Sequence, residues 1–276
     1  MVSAPAQQTV AAYAVMHQIG PTRAAVSLHV LAEFRREGIG KTLFGVVAQR
    51  VRDTGITSLE AVTTTRDPAG QMLTIRLSGA PITEACVQEL SVKDLNQATL
   101  GAWLSGDDVV DIRLETFQGR YCDADIPAVA LLKAAVRTEY GRVEKDQPLE
   151  QFVERLRQEE SRPDERLVSY TRLSEGEIVG YSEAVLGAEL PSLLEKTETA
   201  VAESMRGRGL GRRIKARLLT DVIESSPSIR RIRTIKLTRA TGMLETNEKL
   251  GYTVSHHYTR WEIPAESLNG FLASPG

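Results

Sequence analysis

Arg206-Gly207-Arg208-Gly209-Leu210-Gly211 is the stretch of this 276-residue chain whose residue types and spacing best suit ligand chemistry. Glycines at 207, 209 and 211 allow dihedrals that a Cβ forbids and let a ligand come close to the main chain. The helix expected after them aims unpaired N–H groups and a positive dipole end into the loop, which suits an anion. A phosphate or pyrophosphate at a helix N-terminus is the chemistry implied, and a plain helix-entry turn is the competing reading. Leu210, Ile214, Leu218 and Val222 recur at near-helical spacing, which predicts a solvated face for Arg212, Arg213, Lys215 and Arg217.

The same pattern occurs once before. Arg35-Arg36-Glu37-Gly38-Ile39-Gly40 leads into a helix expected over 41–53, with Leu43, Val46, Val47 and Val51 as its apolar stripe. In both copies a valine, Val30 or Val201, stands five residues before the arginine. The copies lie about one domain length apart, which points to tandem duplication.

Strands are expected over 9–18, 24–31, 58–65 and 86–90, with a short helix over 69–77. The pattern lapses between Gly101 and Asp108, which sets a boundary between domains 1–106 and 107–276. Beyond it come a strand over 109–115, helices over 127–139 and from Pro148, and a hairpin of 167–172 with 178–186. A strand over 197–202 feeds the glycine loop; a strand over 232–237, a helix over 243–250 and a strand over 252–263 complete the chain. This order is mixed α/β.

Composition narrows the function classes. An apolar fraction of 42% and a charged fraction of 25% are those of a soluble globular protein. A net charge of −2 argues against a general nucleic-acid binder, although the helix after Gly211 is locally basic. The sequence holds no apolar run near membrane-spanning length, so no membrane partner is expected. Isolated Cys86 and Cys122 and the four histidines show no metal-ligand spacing, and the cysteines fit a reducing cytoplasm.

With both R-x-x-G-x-G loops and Asn247-Glu-Lys-Leu250-Gly251-Tyr252, the chain resembles the GNAT superfamily of acetyl-CoA-dependent N-acetyltransferases, and more closely its two-domain members of the mycothiol synthase type. The resemblance implies a mixed, mostly antiparallel sheet flanked by helices in two tandem domains, the N-terminal one incomplete. It implies acetyl-CoA as cofactor and a small-molecule amine as acceptor. Loop amides would hold the CoA pyrophosphate while the preceding strand pairs with the pantetheine arm. Thr199, Ala200 and Val201 would line the arm, and Arg206, Gly207, Arg208, Gly209, Leu210 and Gly211 the pyrophosphate. Arg212 or Arg213 would reach a CoA phosphate, and Asn247 would hydrogen-bond CoA or its own helix end. In the first half the matching positions are Leu28, His29 and Val30, then Arg35, Arg36, Gly38, Ile39 and Gly40.

Acetyl transfer from a thioester to an amine requires a neutral amine, a polarised carbonyl and a protonated leaving thiol. The resemblance puts a carboxylate base on the strand before the loop, where Glu195 and Glu198 both stand. The tyrosine that often protonates the thiol is replaced by Asn247; Tyr252 or Tyr258 could serve, or the thiolate leaves unassisted. In the first half no carboxylate lies between Ala24 and Ala32; His29 reads as a base or as an interior histidine packed on its strand. Chemistry is therefore expected in the C-terminal half, with acceptor-pocket walls from 141–147 and 187–194. The unpaired sheet edge near residue 9 is expected to be covered by the second half or by another chain, as in a homodimer. A non-catalytic acyl-CoA-binding module is the alternative from another class.

Overall fold

The computed structural model describes residues 2–3, 10–105, 112–119, 121–139, 148–160, 165–173, 176–186, 190–268 and 270. In chain order the first elements are β1 (Val2–Ser3), β2 (Val10–Gln18), β3 (Arg23–Val30), α1 (Ile39–Thr54), β4 (Ser58–Thr64), α2 (Pro68–Arg76), β5 (Ala80–Ser91) and α3 (Gln97–Leu104). There follow β6 (Ile112–Gln118), α4 (Ile126–Glu139), α5 (Leu149–Glu160), β7 (Glu165–Leu173), β8 (Ile178–Leu186) and β9 (Leu193–Val201). The last are α6 (Leu210–Ser225), β10 (Arg231–Leu237), α7 (Thr241–Lys249) and β11 (Thr253–Pro264). The fold is mixed α/β, with mostly antiparallel sheet flanked by helices.

Two compact units form, Met1–Glu84 with His256–Gly276, and Ala85–Ser255. The boundary expected at 106/107 lies outside the described residues, and compactness divides the chain elsewhere. Each half donates a strand segment: Ala85–Ser91 of β5 pairs with β10 in the second unit, while Tyr258–Pro264 of β11 pairs with β4 in the first. Side chains explain the exchange. Leu90 enters the core under α6, whereas Trp261 and Ile263 enter the core under α1.

In the first unit β2 and β3 are antiparallel, while β3 and β4 run parallel and share only Arg23↔Ser58, Ala24↔Leu59 and Ala25↔Glu60. Phe44, Val47, Ala48 and Val51 of α1 pack on Ala24, Val26 and Leu59. The stripe differs from expectation at Val46, which is 64% exposed, because the helix turns Phe44 and Ala48 inward instead. Gly55 ends α1 in a left-handed conformation, its N–H donating to the Val51 carbonyl.

The second unit orders its strands β5-β10-β9-β8-β7-β6, with β10 and β9 pairing in parallel. Seven consecutive residues of β8, Ile178–Ala184, are buried, a run rather than an alternation, because helices cover both faces. On one face Leu218, Leu219 and Val222 of α6 pack with Leu90, Leu194 and Ile232, and α6 lies so close that a Cβ at Gly180 would come within 2.8 Å of Ile214 Cδ1. On the other, Val129 and Ala130 of α4 and Phe152 and Leu156 of α5 pack with Tyr170 and Tyr181. The lapse read over 101–108 begins inside α3, a helix the local pattern hid: Asn96 accepts from the Thr99 N–H at its start, and Leu100 enters the α6 core.

Two glycines separate conformational from steric demand. Gly251 holds a φ of +99°, and a Cβ there would lie 2.6 Å from the Asp94 carbonyl oxygen, whereas Gly101 is helical with nothing within 4 Å. Gly251→Ala should therefore cost about 1–3 kcal/mol, and Gly101→Ala should add about 0.5–1 kcal/mol. Urea denaturation of the two variants checks both signs.

Candidate active site

The glycine loop at 206–211 is built by the strand before it and the helix after it. β9 ends at Val201, one 3₁₀ turn follows over Glu203–Met205, and Arg206 turns back to donate its Nε–H to the Val201 carbonyl at 3.2 Å. Gly207 (φ 79°) and Gly209 (φ 75°) take left-handed conformations, and Gly209 is the N-cap of α6. A Cβ on either would meet nothing within 4 Å, so their demand is for conformation and leaves the space before them open. That space is a cleft of ≈ 350 Å³ lined by Thr199, Ala200, Val201, Arg206, Gly207, Gly209, Leu210, Gly211 and Arg212, with Met243 and Thr246 of α7 across from them. The first α6 amides and the positive helix end face this cleft, an arrangement that suits a phosphate. Arg208 is not among the lining residues.

The first copy has the same build. Arg35 donates its Nε–H to the Val30 carbonyl at 3.1 Å, Gly38 (φ 82°) caps α1, and a Cβ on Gly40 would lie 3.6 Å from Val30 Cγ2, as one on Gly211 would from Val201 Cγ2. Arg36 holds a φ of 70° where the second copy has Gly207, so a side chain bears a conformation that favours glycine. His29 is exposed and stacks on Tyr13 at 4.9 Å between ring centroids, which corrects the interior reading of that histidine. The cross-strand register Tyr13↔His29 puts both rings on the sheet face opposite the α1 core.

β9, which lines the cleft through Thr199, Ala200 and Val201, runs beside β10. They pair at Arg231↔Leu193 and Ile232↔Leu194, and the ladder ends there. On its other side β9 keeps its ladder with β8, with one irregularity: Leu194 pairs with Leu186 and Lys196 with Val185, so Glu195 is an extra residue. The extra residue inverts the faces of the strand, so Glu198 falls opposite Glu183 on the α4 side, while Thr199 falls opposite Ser182 on the α6 side at 2.8 Å between hydroxyls. Of the two carboxylates expected, Glu195 stands at this bulge with its side chain outside the described residues, and Glu198 stands beside the cleft residue Thr199.

Glu198 is tightly oriented. Its Oε1 accepts a hydrogen bond from the Tyr181 hydroxyl, and Lys133 Nζ lies 3.9 Å away. Lys133, on α4, donates to Glu183 Oε2 at 2.9 Å, and the Tyr121 hydroxyl donates to the same oxygen at 2.5 Å. Burial, and after it the Glu183 carboxylate, push the Tyr121 phenol far above its ordinary pKa, so it remains a donor. Lys133, Tyr181 and Glu183 are all almost fully buried, whereas the Glu198 side chain is 23% exposed. The arrangement holds one carboxylate next to the cleft residue Thr199, bonded to Tyr181 and close to the buried Lys133, which Glu183 holds in turn. Such a group can take a proton from a nucleophile.

Asn247 and Tyr252 are elsewhere. Asn247 is 0% exposed; its Oδ1 accepts from Lys215 Nζ and its Nδ2 donates to Gln88 Oε1 at 2.7 Å. Tyr252 is buried in the α6 core with Lys215 Nζ 5.0 Å from its ring centroid, and burial pushes its phenol well up. Neither lines the cleft, because the α7 turn that carries them is packed down onto the sheet by the Lys215 and Gln88 contacts. Lys215 itself corrects the expected solvated face of α6: it is 2% exposed, and burial followed by the charge of Lys236 lowers its pKa well below that of an ordinary lysine. The supporting residues Lys133, Tyr181, Glu183, Lys215 and Lys236 lie on ordinary strands and helices with no motif spacing. Among the described residues no group of three metal-ligating side chains occurs, and no helix is long and apolar enough to cross a membrane.

Residues 1–73 match the model of the Acetyltransferase (GNAT) family. No curated protein sequence matches the chain. Among solved structures, a tandem GNAT protein from the clavulanic acid biosynthesis pathway aligns with a TM-score of 0.74 and 21% identity, covering 89% of this chain and 76% of that one. A GCN5-related N-acetyltransferase from Sphaerobacter thermophilus aligns with a TM-score of 0.67 and 16% identity, covering 94% of this chain and 78% of that one. With a glycine loop before each of α1 and α6, and a parallel strand pair that parts beside each loop, the chain has the tandem GNAT fold.

Proposed function

We propose that the protein is an N-acetyltransferase that moves an acetyl group from acetyl-CoA to the amine of a small molecule, with the chemistry in the unit that carries Gly209. The observation that carries this reading is Glu198, held by Tyr181 and Lys133 next to Thr199, which lines a cleft that ends on a helix N-terminus. The CoA pyrophosphate would lie on the amides of Gly209, Leu210 and Gly211 with Arg206 and Arg212 beside it. The pantetheine amides would pair with Thr199, Ala200 and Val201 as an added strand would. When bound, the cofactor supplies a thioester carbonyl for attack. Glu198 holds the proton that the amine must lose, and the strand edge fixes the acyl group near it. Cys86 and Cys122 are free thiols, which fits the cytoplasm as location.

The first unit repeats the loop and the parting strands but has His29 on the face where a base would stand, exposed and stacked on Tyr13. On this reading it binds CoA weakly or serves as structure. A second reading, a non-catalytic acyl-CoA-binding protein, is favoured by the commitment of the Asn247 amide to Lys215 and Gln88.

Acetyl-CoA at a hundred times its dissociation constant should stabilise the protein by about 2.7 kcal/mol, seen as a raised melting temperature; an unmoved melting temperature refutes both readings. Release of free CoA with a panel of amines separates enzyme from binding module. Glu198→Gln should keep CoA affinity and lower kcat by about 10²-fold, with Glu195→Gln as the comparison; wild-type turnover in both removes the base assignment. Gly209→Val, forced from φ 75° and projecting a side chain into the cleft, should abolish transfer, while a folded Gly38→Val retains it. Activity lost only in Gly38→Val would move the chemistry to the first unit.

A further inference from the structure

Lys236 is a buried charge that holds neither Glu198 nor Asn247 by a hydrogen bond. It lies near the end of β10, is 7% exposed, and among the described residues no hydrogen bond or ion pair holds its ammonium. A cation in such a place is disfavoured unless a ligand or a reaction uses it.

Its position is specific. β9 and β10 share the pair Ile232↔Leu194 and then run apart; Glu198 and Lys236 each stand four residues past that pair, one on each arm. They are near enough for the Glu198 charge to act on Lys236. They come from opposite faces of the opening. Glu198 is on the α4 side with Tyr181 and Glu183, whereas Lys236 alternates with Ile232 and Thr234 on the side of α6. The titratable groups around Lys236 are Cys86, its cross-strand partner on β5, Lys215 from α6, Glu198 from β9, and Glu248 of α7, which acts on Cys86.

We propose that Lys236 is the proton donor to the CoA thiolate that leaves in acetyl transfer. The proposal rests on the acetyl-CoA reading above and adds the acid that Asn247 and Tyr252 do not supply. With the pyrophosphate on the Gly209 loop, the thioester reaches into the opening between Glu198 and Lys236. The amine lone pair attacks the acetyl carbon from the Glu198 side and forms the C–N bond, and Glu198 takes the proton that the nitrogen sheds. The C–S bond breaks with its electron pair on sulfur, and the Lys236 ammonium gives one proton to that sulfur. The products are an acetamide and the CoA thiol; Glu198 then loses its proton to solvent and Lys236 regains one. Burial lowers the Lys236 pKa, opposed by Glu198 and then Cys86, which brings the ammonium nearer to a thiol in acidity than an ordinary lysine is. A donor matched to its acceptor transfers a proton with little cost in driving force.

The first arm of the test reads CoA itself and needs no acceptor; the second reads turnover with an amine that the wild type acetylates. CoA bound to the wild type, to Lys236→Met and to Lys236→Arg is titrated with base while the ultraviolet thiolate band is followed, and folding is checked by circular dichroism. The bound thiol should ionise about one pH unit or more lower in the wild type than in Lys236→Met, because a cation beside it favours the thiolate. CoA lacking its sulfur should bind both equally. Lys236→Arg should keep the thiolate band while losing about 10²-fold in kcat, since a guanidinium does not release its proton; in the wild type kcat should fall as pH rises through the lysine pKa. Identical thiol titrations in folded, CoA-binding wild type and Lys236→Met overturn the proposal, and, should Lys236→Met not fold, wild-type turnover in Lys236→Arg does so. Failure of the wild type to bind CoA sinks the acetyl-CoA reading instead, and Lys236 with it.

Discussion

A parallel strand pair that is joined at one end and open at the other sets the terms for the second unit. After Ile232↔Leu194 the ladder between β9 and β10 ends, so the facing backbone edges have no sheet partner in each other. Leaving backbone polar groups unpaired away from water is costly, which makes the opening a place for water or for a ligand with amides of its own. What keeps the arms apart is the pairing on their outer sides. β9 is held by β8 over residues 194–201, and β10 by β5 over all seven of its residues. Helix α6 presses on both near the closed end through Leu218, Leu219 and Val222, and its own N-terminus stands at the open end. The packing that stabilises the sheet therefore also aims the helix dipole at the opening.

Buried charge is distributed around this opening at a cost in stability. Lys133 stands between Glu183 and Glu198, and removing one member of such a buried set commonly costs about 3–5 kcal/mol. Replacing the set by well-packed apolar side chains is often neutral, so stability alone does not account for it. Its effect is geometric: Tyr181 and Lys133 orient the Glu198 carboxylate, and Glu183, which also accepts from Tyr121, holds Lys133. On the α6 side Lys215 fixes Asn247 and so fixes the turn that leads to Gly251 and Tyr252.

The two loops show how one backbone shape is reached by different side chains. Arg36 and Gly207 occupy the same left-handed position, and the arginines at 35 and 206 close the same hydrogen bond to a strand-end valine. Shape is thus duplicated where side chains are not. The first unit has Ser27 at the position of the oriented Glu198 and a stacked, exposed His29 at that of Ala200, and Tyr13, Val15 and Val62 stand exposed on the face opposite α1.

Local signals determined what local physics decides. Glycines before an amphipathic run specify a left-handed cap and a helix start, so both loops, α1, α6 and the strands before them were legible, as was the mixed α/β class. Glu198 was legible as a candidate because it sits a few residues before the loop. Contacts between distant residues decided the rest. Nothing in the spacing of Lys133, Tyr181 and Glu183 shows that they meet at Glu198, and Asn247 and Lys215 read as a cofactor contact and a solvated face until α6, α7 and β5 were packed together. The strand exchange had no local mark either. Residues 86–90 and 252–263 read correctly as strands, but which sheet they join depends on whether Leu90 or Trp261 finds the α6 core or the α1 core, and a strand's own periodicity carries its face but not its neighbour.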